Sequence, residues 1–241
     1  LASNPSTPKL DKLKEEFGIQ ITQSNDEACQ FADAIVLAVK PQMMGDMCAD
    51  LKQNNDLTGK LFLSIAAGLP VSRLQEMLGG EYPVVRIMPN TPSLLGKGMS
   101  GMYADNTVSE DDRTYVDDVM NSVGETVWVE EEDGINGVIA AAGSSPAYFF
   151  LFLQAMQEEA INMGFDKAQS RLMVQQAMLG AAEMVCHNPD LELSELRAQV
   201  TSKGGTTAAA VNTLIDQGLS DIVSKAMRAA VARAEEMAKQ L

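Results

Sequence analysis

The sequence predicts an α/β protein, with a parallel-sheet domain over residues 1–130 followed by an all-helical domain over 131–241. Three observations carry this. Short apolar runs alternate with helical patterns through the first half, strand-like runs cease after Glu130, and every later segment has helical period and composition, rich in Ala, Met, Leu and Glu. A chain of 241 residues, 46% of them hydrophobic, has the material for two packed units.

The strands are short and rich in β-branched or bulky apolar residues: 19–22, AIVLAV (34–39), LFLSI (61–65), VVRIM (84–88), GMSGMYA (98–104) and ETVWV (125–129). Between them run PKLDKLKEEFG, stopped by Gly18, then NDEACQFA, QMMGDMCADLKQN, PVSRLQEMLGG and SEDDRTYVDDVMNSVG. The last of these opens on a Ser109/Asp112 capping pattern. Alternation of this kind calls for a parallel sheet covered by helices. The second domain reads as DGINGVIAAAG, SPAYFFLFLQAMQEEAINMG, DKAQSRLMVQQAMLGAAEMVCHN, LSELRAQV, TTAAAVNTLIDQG and LSDIVSKAMRAAVARAEEMAKQL, all helical. Several of these helices carry Ala and Met on more than one side. That is more apolar surface than one bundle needs, and it predicts a homodimer at least, with assembly beyond the dimer left open.

Charge and composition narrow the partners. Acidic residues outnumber basic ones by 33 to 18, for a net charge of −15, so nucleic acid and anionic membrane are not expected partners, and an anionic ligand needs a local cluster of donors. Cys29, Cys48 and Cys186 have no CxxC spacing and His187 is the single histidine, so no metal site is expected. His187 precedes Asn188-Pro189 at a helix end, where a capping role is expected. The most apolar stretch, VIAAAGSSPAYFFLFLQAM, is broken by Gly, Ser and Pro, and the expected setting is a reducing cytoplasm.

A sheet domain followed by a helical bundle is a common plan among nicotinamide-dependent enzymes. In the Rossmann plan a GxGxxG turn belongs to the first βα unit, and none is present, so the chain reads as opening near the end of the second strand, with the first unit missing. An acid at the end of the second strand accepts from the ribose of NAD. Here SNPSTPK supplies Asn4, Ser6, Thr7 and Lys9, donors and a cation with no acid, which favours NADP, with NADPH preferred over NADH. Read alone, the same string is a turn. AVKPQ and SIAAGLP end strands where parallel sheets hold ligands, with Lys40 suited to an anion and Ala66, Ala67 and Gly68 small enough for a flat ring to approach the backbone.

Residues 200–207, VTSKGGTT, precede the helical AAAVNTLIDQG. Alone, GGTT is a capped interhelical turn. Equally, two glycines that expose successive N–H groups at a helix start make a turn that attracts anions.

Taken in order, NDEACQFADAIVLAVKP, SIAAG, RIMPNTP, GSSPAYFF and VTSKGGTT closely resemble the pyrroline-5-carboxylate reductases, over essentially the whole chain. The resemblance implies reduction of the ring imine of 1-pyrroline-5-carboxylate to L-proline with NAD(P)H, on a Rossmann-type domain followed by a helical dimerisation domain. It implies dinucleotide contacts at Asn25, Ala38, Val39, Lys40, Pro41 and Ala66, with Asn90, Thr91 and Pro92 near the nicotinamide. It places the imino-acid carboxylate on Ser202, Gly204, Gly205, Thr206 and Thr207, with the Thr207 hydroxyl as the catalytic donor to the ring nitrogen. Lys203 stands where the family usually has Pro. Two other readings remain open on sequence alone. A β-hydroxyacid or ketoacid dehydrogenase shares the two-domain plan but ordinarily carries a lysine in the interdomain helix, and SPAYFFLFLQAMQEEAINMG has none. The other is a non-enzymatic NADP-binding dimerisation module.

Overall fold

The computed structural model describes residues 1–240 and divides into two compact units, one formed by residues 1–144 with the chain from Ala230 onward, the other by Ser145–Ala229. The first begins with β1 (Ala2–Ser3), α1 (Thr7–Phe17), β2 (Ile21–Thr22), α2 (Asn25–Phe31), β3 (Ala34–Leu37), α3 (Pro41–Asn54), β4 (Leu61–Ser64) and α4 (Val71–Leu78). It continues with β5 (Val84–Met88), a 3-10 turn (Thr91–Leu95), β6 (Gly98–Ala104), α5 (Glu110–Asn121), β7 (Gly124–Trp128), α6 (Gly134–Val138) and a π-helical segment (Ile139–Gly143).

Local chemistry explains the boundaries. Gly18 and Gly79 end α1 and α4 in left-handed conformations (φ 64° and 85°), which glycine adopts without a Cβ clash. Ser24 caps α2 by accepting from Glu27 N–H. Ser109 accepts from Asp112 N–H and donates to the Asp112 carboxylate, as the capping pattern predicts.

Five strands form one sheet in the order β3-β4-β5-β6-β7, while β1 and β2 form a separate parallel pair. The sheet is mainly parallel, as expected, with one antiparallel pairing: β6 runs antiparallel to β5, with Val85 opposite Ala104 and Met88 opposite Gly101. The short 3-10 connection between them cannot make the crossover that a parallel neighbour requires. The other pairings in this sheet are parallel.

Side-chain alternation splits the core. Phe62 and Val84 face Met44, Cys48, Leu51, Leu74 and Leu78 on α3 and α4, while Leu61, Leu63, Val85 and Ile87 face Met102, Val108 and Val116 on the α5 side. Strands that are apolar on both faces are what a sheet covered by helices on both sides demands. In the middle of β5 sits a buried cation, Arg86, 7% exposed.

The second unit contains α7 (Ser145–Asn162), α8 (Lys167–Cys186), α9 (Leu193–Gln199), α10 (Thr206–Asp216) and most of α11 (Leu219–Ala238). Asp166 and Gln169 form a reciprocal capping box at α8, and His187 closes that helix as its C-cap, its Nδ1 2.8 Å from the Glu183 carbonyl oxygen. Of residues 145–229 only Ser170, Val174 and Leu196 are buried, while Phe150, Leu151 and Leu172 are more than 60% exposed.

Candidate functional site

The parallel strands β3, β4 and β5 end on a common rim, since Leu37, Ser64 and Arg86 lie side by side in the register. The chain leaves that rim through Ala38–Pro41, through Ala66–Gly68 and through Asn90–Pro92, so the predicted cofactor residues following these strands share one edge of the sheet. Gly68 has φ 82°, a left-handed turn that brings backbone rather than side chain to the rim. Lys40 is exposed just before Pro41 opens α3.

A cavity of about 650 Å³ lies where the two-stranded pair faces the edge of the large sheet, lined by Leu1–Pro5 on one side and Ala34–Val39 on the other, with α2 and α3 closing it. Asn4, Asn25, Ala38 and Val39 come together on it. Val36 on the β3 edge is 54% exposed.

The SNPSTPK loop is shaped by its own polar groups. Asn4 accepts from the Ser6 N–H through Oδ1 at 2.8 Å, and Ser3 Oγ donates to Asn25 Oδ1 at 2.8 Å, tying β1 to the start of α2. Ser6 is the N-cap of α1 but makes no side-chain cap, so Ser6, Thr7 and the exposed Lys9 stand at an open helix N-terminus.

In the second unit Gly204 takes φ 73° and Gly205 N–H donates to the Ser202 carbonyl at 3.0 Å, a tight turn that ends at α10. Gly205 is the N-cap and cannot cap with a side chain, so the first-turn N–H groups of Thr206, Thr207 and Ala208 point outward without a side-chain acceptor. By contrast α2, α5 and α8 are capped by Ser24, Ser109 and Asp166. A Cβ at Gly205 would come within 2.5 Å of Ser202 Oγ, so the serine hydroxyl is seated over the glycine. Small residues, free N–H groups and hydroxyls at one helix start can bind a carboxylate.

Two structural roles were not anticipated. Glu132 Oε1 accepts from both buried Arg86 (3.0 Å) and the Val71 N–H at the start of α4 (2.9 Å). Its one sequence signal is an arginine inside the apolar run VVRIM. Asn90 uses its side chain within the fold, donating to Ala142 O and accepting from Met99 N–H, which no local pattern announces.

Burial raises the Cys29 and Cys48 thiols, the latter to about 11, and Tyr103 is raised by burial and by Glu132, Asp105 and Glu131. Among the described residues no group of three His, Cys, Asp or Glu side chains could hold a metal ion.

Residues 1–68 match the family model described as NADP oxidoreductase coenzyme F420-dependent, and residues 132–237 match that of pyrroline-5-carboxylate reductase dimerisation. With the sheet rim and the helical unit, this defines a Rossmann-type NADP-dependent oxidoreductase with its own dimerisation domain. Among similar proteins, a pyrroline-5-carboxylate reductase of Vibrio alginolyticus is 58% identical over 238 residues, covering 99% of this chain and 87% of the relative. That of Escherichia coli is 35% identical, covering 98% and 86%. A solved pyrroline-5-carboxylate reductase from Coxiella burnetii superposes with a TM-score of 0.92 at 39% identity, over 98% of this chain and 87% of that one. A Plasmodium falciparum pyrroline carboxylate reductase with NADP bound gives 0.84 at 31%, over 98% and 86%. The chain belongs to the pyrroline-5-carboxylate reductase family.

Proposed function

We propose that this chain reduces the C=N bond of 1-pyrroline-5-carboxylate to give L-proline, with NADPH preferred over NADH as hydride donor, in the cytoplasm. The observation that carries the substrate reading is the uncapped α10 start: Gly204, Gly205, Ser202 and the free N–H groups of Thr206 to Ala208 form a carboxylate clamp on an otherwise acidic protein. Bound NADPH supplies the hydride. The protein holds the substrate carboxylate on the α10 start, which fixes the ring and presents its C=N carbon. The ring nitrogen arrives protonated. On reduction it takes up the electron pair of the C=N bond, and the Thr207 hydroxyl hydrogen-bonds the amine that forms. No histidine or carboxylate pair is required.

Asn4, Ser6, Thr7 and Lys9 serve the 2′-phosphate. Asn25, the Ala38–Pro41 turn and Ala66–Gly68 serve the rest of the dinucleotide, and the Thr91–Pro92 loop, entered through Asn90, borders the nicotinamide. We read residues 1–130 as the cofactor domain and 131–241 as the helical dimerisation and substrate-binding domain. The helical segment Gly134–Asn162 is long and apolar enough to cross a membrane (mean hydropathy 1.4). We read its exposed face as self-association surface, consistent with a homodimer or higher oligomer.

Steady-state kinetics with pyrroline-5-carboxylate and saturating NADPH tests this reading. Thr207→Val should lower kcat roughly ten- to a thousand-fold, while Thr207→Ser retains most of it. Turnover of Thr207→Val at the wild-type rate would remove the hydroxyl from the chemistry.

A further inference from the structure

Asn90 occupies the N-cap position of the 3-10 turn Thr91–Leu95, where an asparagine ordinarily caps its own turn, yet its side chain does not do so. It spans two other elements instead. The β5–β6 register, with Met88 opposite Gly101, brings residue 90 opposite residue 99 two steps further on, and the Met99 N–H donates to Asn90 Oδ1 at 3.0 Å. The side-chain carbonyl therefore takes the place of a backbone acceptor and extends the ladder beyond its last regular pair. The other end of the amide, Nδ2, donates to the Ala142 carbonyl at 3.1 Å, inside the π-helical segment Ile139–Gly143. That segment is wound by an i to i+5 bond from Ser144 N–H to Ile139 O at 2.8 Å. A π turn in a helix is a costly local geometry that persists where surrounding contacts hold it.

We propose that Asn90 is a positioning residue of the reductase, pinning the Thr91–Pro92 loop to β6 and to the π segment so that the loop bordering the nicotinamide is held rigid. This rests on the reading of Thr91 and Pro92 given under Proposed function. A primary amide suits this role because it offers an acceptor and a donor in one rigid plane, and both are used. Loss of the pin costs alignment rather than affinity, because the groups assigned to the 2′-phosphate lie on another loop.

Two variants separate the ends of the amide. Asn90→Asp keeps the acceptor for Met99 N–H and loses the donor to Ala142, and Asn90→Ala loses both. Kinetics of the intact enzyme should show kcat lowered about tenfold in the first and about a hundredfold in the second, with the NADPH dissociation constant, read by fluorescence, within about twofold of wild type. Hydrogen exchange should quicken at Met99 in Asn90→Ala alone and at Ser144 in both variants. A dissociation constant that rises in step with the loss of kcat/KM would make Asn90 a direct cofactor contact and overturn the proposal. So would unchanged exchange at both amides. The exchange arm reads the pin without turnover, so a protein inactive on pyrroline-5-carboxylate would refute the functional reading separately, leaving the pin to be decided by exchange.

Discussion

Cys48 lies on the inner face of α3, fully out of solvent, and burial pushes its thiol up to about 11 from an ordinary value near 9, against a smaller opposing pull from Lys52. Between these two values the unfolded chain has lost the proton and the folded chain keeps it, so stability falls as pH rises. The contribution is complete below pH 9 and gone above 11. Roughly 2–3 kcal/mol is at stake for a two-unit shift. Urea denaturation from about pH 8 to 11 should show a steeper loss for wild type than for Cys48→Ala, and parallel curves would refute the assignment. Gly205 makes a second residue-scale case. Its φ of −80° is open to any residue, so a substitution there tests the space beside Ser202 rather than the backbone. Gly205→Ala should raise KM for pyrroline-5-carboxylate about tenfold and leave NADPH binding unchanged, since the displaced hydroxyl and the crowded N–H groups are on the proposed carboxylate clamp alone.

Elements of the first unit are joined by polar ties placed where backbone groups need them. Glu132 is the clearest, because one carboxylate oxygen satisfies both the first turn of α4 and the buried guanidinium of β5. The Arg86 side chain is 8% exposed and that of Glu132 23%, so the pair is screened less than a surface bridge, though not sealed from water. Glu132→Ala leaves the arginine unpaired and α4 uncapped, and should cost about 2–4 kcal/mol in chemical denaturation. A loss below about 0.5 kcal/mol would mean that water replaces the carboxylate. Sequence pattern predicts DGINGVIAAAG as one helix, whereas the structure gives α6 and then a π segment. Close packing contributes at this stretch: a Cβ at Gly101 would strike Val138, so β6 and α6 approach through a glycine.

At the scale of the whole molecule, the helical unit lacks a core of its own. Long helices with Phe150, Leu151 and Leu172 exposed and only Ser170, Val174 and Leu196 buried cannot be stable alone, so their apolar faces must be covered by self-association. Light scattering should find a dimer or larger at micromolar concentration, with a Tm that rises with protein concentration. A stable monomer would remove the prediction. The proposed NADPH preference belongs to this scale as well, because the proposed 2′-phosphate site at Asn4, Ser6, Thr7 and Lys9 is spread over a strand end and a helix start. Lys9→Ala should lower kcat/KM for NADPH about tenfold and leave that for NADH nearly unchanged.

Features that local physics encodes are legible in the amino-acid order alone. Period and composition place six of the seven strands and nearly all the helices within a residue or two, a capping pattern marks α5, and ordered motifs carry the family. The VTSKGGTT turn is legible because glycines before a helix have few uses. Tertiary structure decided the rest. Ala2–Ser3 is too short to show a period and is a strand only because β2 lies beside it. The direction of β6 depends on whether a connection can cross the sheet, which is a property of its neighbours. The partners of Asn90 and Glu132 stand 52 and up to 61 positions away in the chain, beyond the reach of any local pattern, because a side-chain hydrogen bond is chosen by what the folded backbone brings near.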